Sequence, residues 1–106
     1  EGHPYPAISQ RELGRVLLHV QDYSEAERVI RESLATLASA YPTGHRHILK
    51  TRAYLAIGEI LNGVGQPARD RLRAVQEELE SRLGAAHYLC SQLRTDIEKL
   101  LGPPPI

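Results

Sequence analysis

The chain has 106 residues, enough for one compact domain that buries roughly 65% of the surface an unfolded chain exposes. Thirteen Lys/Arg balance thirteen Asp/Glu, and no half is skewed, so the phosphate-neutralising surface of a nucleic-acid binder is not expected. No apolar run approaches the roughly 18 residues of a transmembrane span, and a lone cysteine, Cys90, excludes an internal disulfide, so the expected setting is the cytoplasm, without a membrane partner.

The first predicted helix covers about 7–20, with Ala7, Leu13, Val16, Leu17 and Val20 among polar residues. "QDYSEAE" interrupts it. Ser24 is a good N-cap and Glu27 would complete a capping box. From there Ala26, Val29, Ile30, Ser33, Leu34, Leu37 and Tyr41 recur at helical spacing until "YPTG", where the residue before Pro42 is pushed out of the α region. A third helix over about 46–62 carries Ile48, Leu49, Leu55, Ile57, Ile60 and Leu61, so apolar on most sides that it should be buried from several directions. "NGVGQP" is the next turn, with Pro67 suited to the first turn of a fourth helix bearing Ala68, Leu72, Val75, Leu79 and Leu83. A fifth helix, about 87–101, presents Leu89, Leu93, Ile97, Leu100 and Leu101. No segment alternates as a strand does, so the fold class is all-α. With no Trp, Phe or Met, its core must be aliphatic.

An internal repeat orders these elements. His3, His45 and His87 are spaced by 42 and again by 42. Under the same shift Leu13 maps to Leu55, Gly14 to Ala56, Ala26 to Ala68, Ile30 to Leu72 and Leu37 to Leu79. The expected organisation is a repeat at 3–44, a second at 45–86, a terminal capping helix at 87–101 and a disordered Pro-rich tail at 102–106. The small residues Gly14, Ala56, Ala26 and Ala68 would let the two helices of each repeat cross closely.

The chemical candidates are few. His45 and His47 flank an arginine in "TGHRHILK", but equivalent histidines in stacked helix pairs lie about 8–10 Å apart. Donor atoms on one metal ion lie within roughly 4 Å of each other. Each histidine is therefore expected to pack or hydrogen-bond at the start of its repeat. Cys90 and His87 share a helix face, without an orienting Asn or Asp. Glu25, Glu27, Glu32, Glu77, Glu78 and Glu80 alternate with Arg28, Arg31, Arg73 and Arg82, the mark of solvated helix faces. No glycine-rich loop precedes a Lys-Ser/Thr pair. No catalytic residue, metal or cofactor is expected, and the chain does not read as an enzyme.

The pattern of Leu13-Gly14, Tyr23, Ala26, Ile30 and Ser33, and again of Leu55-Ala56, Ala68, Leu72 and Val75, resembles the tetratricopeptide repeat. The 42-residue length and the loops "EGHP", "TGHR" and "GAAH" resemble the kinesin-light-chain type, whose repeats open on a Gly-x-x-His-Pro-like loop. The resemblance covers about 3–101. Gln10 and Arg52 depart from it where a large apolar residue is preferred, as do Glu59 opposite Leu17 and Gly65 opposite Tyr23. It implies a right-handed superhelical array of antiparallel helix pairs, an α-α solenoid of five helices. It also implies a protein–protein interaction module that binds a partner peptide or helix along its concave face.

By that resemblance the concave face is lined by Arg11, Glu12, Arg15, Leu18 and His19, then Lys50, Ala53, Tyr54, Ile57 and Leu61, then Gln92, Thr95, Asp96 and Lys99. The expected peptide contacts are Arg11, Arg15, His19, Lys50, Tyr54, Ile57 and Leu61. Arginine would clamp an acidic group, and tyrosine would give a rigid amphipathic contact. Chaperone-binding members hold a C-terminal carboxylate with Lys and Asn residues, and here Arg15 and Tyr54 replace the Asn. The opening Glu1 and the closing "GPPPI" read as the ends of a segment cut from a larger protein. The alternative function is a structural or dimerising terminal segment of a longer scaffold, such as a bacterial signalling protein. Homodimers would form through exposed repeat ends, and exposed apolar surface on the first helix, with no groove, would favour this alternative. A metal- or thiol-dependent enzyme is the remaining one.

Overall fold

A computed structural model describes residues 4–102 of the chain. They form five helices and no strand: α1 Pro4–His19, α2 Tyr23–Ala40, α3 Arg46–Leu61, α4 Gln66–Leu83 and α5 Tyr88–Leu101. Each helix packs antiparallel on its neighbour in sequence, and α3 touches all four others. The expected all-α class and helix order are therefore observed, and the apolar α3 is central. His3 and positions 103–106 of the expected tail lie outside the described residues.

The 42-residue period is visible in the backbone. α1, α3 and α5 begin at Pro4, Arg46 and Tyr88; α1 and α3 have 16 residues each, and α2 and α4 have 18 each. Two of the repeated histidines, His45 and His87, are helix caps. His45 and His87 sit in extended backbone (φ −64°, ψ 144° and φ −61°, ψ 142°) just before α3 and α5. The His45 Nδ1 accepts from the His47 backbone N–H at 3.2 Å, and the His87 Nδ1 from the Leu89 N–H at 3.1 Å. Each ring thus satisfies one of the orphan donors of a helix start. The His45 ring also stacks on Tyr41 with centroids 3.8 Å apart.

The turns repeat too. After α1, Asp22 N–H donates to the Leu17 carbonyl at 2.9 Å and Gln21 N–H to Leu18 at 3.1 Å, with Gln21 at φ 69°. After α3, Val64 N–H donates to Glu59 at 2.8 Å and Gly63 N–H to Ile60 at 3.0 Å, with Gly63 at φ 101°. This is one Schellman closure used twice, with glycine at its left-handed position only once. A side chain there costs roughly 1–2 kcal/mol, partly offset by glycine's extra entropy in the unfolded chain. Gln21→Gly is therefore expected to stabilise the protein by about 0.5–1 kcal/mol, seen as a higher urea midpoint at unchanged m-value. A lower midpoint would contradict the strain.

The closure also corrects the expected capping box. It turns the chain into α2 at Tyr23, so Asp22 occupies the cap position and makes no side-chain cap bond. Ser24 is already inside the first turn, and Glu27 instead accepts from Arg31 at 2.7 Å and Asn62 at 2.7 Å.

The main core joins Leu18, Ala26, Ile30, Leu49, Tyr54, Ile57, Leu72, Leu79 and Leu93, with a smaller cluster of Ala7, Leu37 and Ile48 contributed by α1, α2 and α3. Close crossing at Gly14 is evident, because a Cβ there would lie 2.4 Å from Ile30 Cγ1. The apolar residues of the first helix divide between two faces. Leu13, Val16 and Val20 are 51%, 52% and 64% exposed, while Ala7, Arg11, Gly14 and Leu18 form its buried face. α1 carries two usable stripes, and α2 and α3 cover the one with the small residue that permits close approach.

Candidate interaction surface

Arg11, Arg15 and His19 recur every four residues on α1, so they share one face. Lys50, Tyr54, Ile57 and Leu61 come from α3, and Gln92 and Asp96 from α5. The structure brings the polar members together around one carboxylate. Asp96 is 1% exposed. It accepts from Arg15 Nε at 2.6 Å and Nη2 at 3.2 Å, lies 3.0 Å from His19 Nε2, and accepts from the Tyr54 hydroxyl. Beside it, Lys50 Nζ donates to Gln92 Oε1 at 2.7 Å and stands 5.6 Å from the Tyr54 ring centroid. Arg11 donates to Glu12 at 3.1 Å and, through Nη1, to His47 Nδ1 at 3.1 Å. No buried side-chain polar atom among the described residues lacks a partner.

Two of these bonds join residues that are 42 positions apart, Lys50 to Gln92 and Tyr54 to Asp96. Equivalent positions of successive repeats therefore touch, which is why a period in the sequence becomes a polar contact in space.

Burial sets the electrostatics. It pushes the Asp96 carboxyl up, but the hydrogen bonds from Arg15, Tyr54 and His19 outweigh it and hold Asp96 below the ordinary carboxylate range. Its bond to Asp96 raises Arg15 further. Burial, then the carboxylate beside it, raises the Tyr54 phenol far above its usual value. Burial, with Arg11 adding to it, lowers the Lys50 ammonium to about 8. Burial, again with Arg11 adding, lowers His47 to about 4. A neutral His47 matches its geometry, because its Nδ1 can accept from Arg11 only without a proton there.

Of the seven expected peptide contacts, Arg11, Lys50, Tyr54 and Ile57 are 3%, 0%, 0% and 0% exposed. Leu61 is partly buried against the core. The Arg15 and His19 side chains keep access to solvent, at 26% and 31%. Asp96 and Gln92 stood among the expected lining positions but not among the contacts, although both organise this face. Pairing each position with the one 42 residues on would have found them. His47 gave no such signal, since the other repeats lack it.

The other candidates resolve simply. Cys90 is buried, and that burial raises its thiol pKa, which keeps it a thiol rather than a nucleophilic thiolate. No group of three or more His, Cys, Asp or Glu among the described residues could hold a metal ion. No helix among them is long and apolar enough to cross a membrane. Glu25, Glu32 and Arg28 pair on the exposed face of α2, and Arg82 and Glu78 on that of α4, as expected of solvated faces.

Fold and surface together define a class: an all-α chain of five sequentially packed antiparallel helices whose first, third and fifth members share a buried ionic network. Comparison with protein-family models, curated proteins and solved structures gave no match to this chain.

Proposed function

We propose that the chain is a short tetratricopeptide-like array that serves protein–protein interaction, without catalysis, and that its main docking surface is the outer face of α1. One observation carries this reading. Leu13, Val16 and Val20 form an exposed apolar stripe, and their equivalents 42 residues on are Leu55, Gly58 and Asn62. Two of those equivalents face the preceding helix pair: a Cβ on Gly58 would lie 3.6 Å from Leu18 and 4.0 Å from Glu27, and the Asn62 amide donates to Glu27. The α1 stripe is thus the face on which, one repeat later, the preceding helices sit. Its natural occupant is an apolar helix face, from a neighbouring segment of a longer scaffold or from a second copy.

Sedimentation velocity tests the second-copy form directly. Wild type is expected to associate with rising concentration, and Val16→Glu to remain monomeric with the same helix content and melting temperature. Association that Val16→Glu leaves intact would remove the stripe from the reading.

A second reading, binding of an acidic peptide along the α1–α3–α5 face, draws support from the partly open Arg15 and His19. There the cations Arg11, Arg15 and Lys50 outnumber the carboxylates Glu12 and Asp96. Arg15→Ala would weaken such binding. Arg11→Ala and Tyr54→Ala would be poor probes, because those side chains are buried and their loss acts on the fold.

A further inference from the structure

A groove of about 450 Å³ runs between α4 and α5 and includes no residue of α1. Leu72, Ile97 and Leu101 give it an apolar floor. Arg69 and Arg73 rise one helical turn apart on the α4 wall, and Glu98 stands on the α5 wall.

Two observations narrow its occupant. The first is charge. Neighbouring arginines are paired: Arg71 with Glu59 at 2.6 Å, Arg82 with Glu78 at 3.1 Å, and Arg94, which borders the groove, with Glu80 at 3.3 Å. Arg69 and Arg73 make no ion pair among the described residues. The unneutralised cations of α4 are thus gathered on one side of an apolar trough. The second is fit. Glu98 occupies the position of Gly14, where α1 and α2 cross closely, and of the buried Ala56. A helix packed on α5 as tightly as α2 packs on α1 would bring its side chains onto a glutamate. The groove therefore suits a helix held at longer range by charged side chains rather than another close-crossing repeat helix.

We infer that the α4–α5 groove docks an acidic amphipathic helix of a partner protein. Apolar side chains at helical spacing would cover Leu72, Ile97 and Leu101, the helix-in-groove mode of recognition. Carboxylates one turn apart on the edge facing α4 would pair with Arg69 and Arg73, where guanidinium geometry permits bidentate bonds. Glu98 fixes orientation by repelling an acidic edge turned toward α5. This surface is separate from the α1 stripe.

The test uses fluorescence anisotropy with two labelled helical peptides on the whole chain. Both carry leucine at positions i, i+3, i+7 and i+10. One carries glutamate beside the leucine stripe, and the other carries lysine at the same places. The glutamate peptide is expected to bind at least tenfold tighter than the lysine peptide. The Arg69→Glu/Arg73→Glu variant, altered only at exposed positions, should reverse that preference. Binding of the glutamate peptide that Val16→Glu abolishes and Arg69→Glu/Arg73→Glu leaves intact would place the peptide on the α1 stripe and overturn the proposal, so failure here is distinguishable from failure of the α1 surface. The proposal is overturned if the glutamate peptide does not bind, if the two peptides bind alike, or if the double variant binds the glutamate peptide as well as wild type. It is overturned equally if the double variant instead abolishes self-association, which would assign the groove to a second copy.

Discussion

Asp96→Ala is expected to destabilise the protein by about 3 kcal/mol, the lower part of the range for removing one partner of a buried ion pair. The carboxylate is 1% exposed and holds α1 through Arg15 and His19 and α3 through Tyr54. Removing it leaves a buried phenol without an acceptor and a guanidinium with only Glu12, at 3.6 Å, as counter-charge. The Arg15 side chain is 26% exposed, so water recovers part of that loss, which is why the lower figure applies. The consequence falls on α5, which packs less extensively on its neighbours than α1 does on α2. Asp96→Asn keeps the shape and one acceptor, and should cost about half as much. Urea unfolding of both variants, combined with Tyr54→Phe in a double-mutant cycle, measures the coupling. Losses under about 1 kcal/mol for both would mean that apolar packing alone fastens α5.

Acidification from neutral pH to about pH 4.5 is expected to remove about 2 kcal/mol of stability through His47 alone, the full linkage figure being reduced by solvent screening of the partly open ring. The folded protein holds this imidazole at about 4, against an ordinary 6.5, because it is half-buried and faces Arg11. Between those values the unfolded chain takes up a proton that the folded chain refuses. Acid therefore favours unfolding, and the stabilisation present above 6.5 is lost as pH falls toward 4. His45, lowered by burial, adds in the same direction. Asp96 extends the loss once pH falls below the ordinary carboxylate range, since its folded form holds its charge to lower pH. Lys50 gives the same sign on the alkaline side. With its ammonium lowered to about 8 from 10.5, stability should rise as pH climbs between those values, a window in which Tyr54 keeps its proton. Urea midpoints from pH 4.5 to 10 would show both slopes. His47→Gln should flatten the acid one and Lys50→Met the alkaline one; parallel curves for wild type and both variants would refute the assignments.

Much of the fold was legible in the residues. Helix starts were marked by His45 and His87, whose imidazoles cap α3 and α5. Pro42 forced Tyr41 out of the helix, and the structure has it extended at φ −131°. These are local effects, acting within a few residues, so sequence carries them directly. The cap of α2 escaped because Gln21 adopts a left-handed backbone that its side chain gives no reason to expect.

What the sequence determined by itself is the helical content, the order of the helices and the 42-residue register, because propensity, capping and periodicity are short-range and repeated three times. Which apolar stripe of α1 is covered, and whether the residues of the α1–α3–α5 face point at a partner or at one another, was decided by tertiary packing. A buried carboxylate gains its partners only when helices far apart in sequence meet. Asp96 and Arg15, 81 residues apart, carry no mark of each other along the chain. Desolvation in the folded protein makes Asp96, Tyr54 and Lys50 a polar interior that links α1, α3 and α5, with Arg15 partly open at its edge.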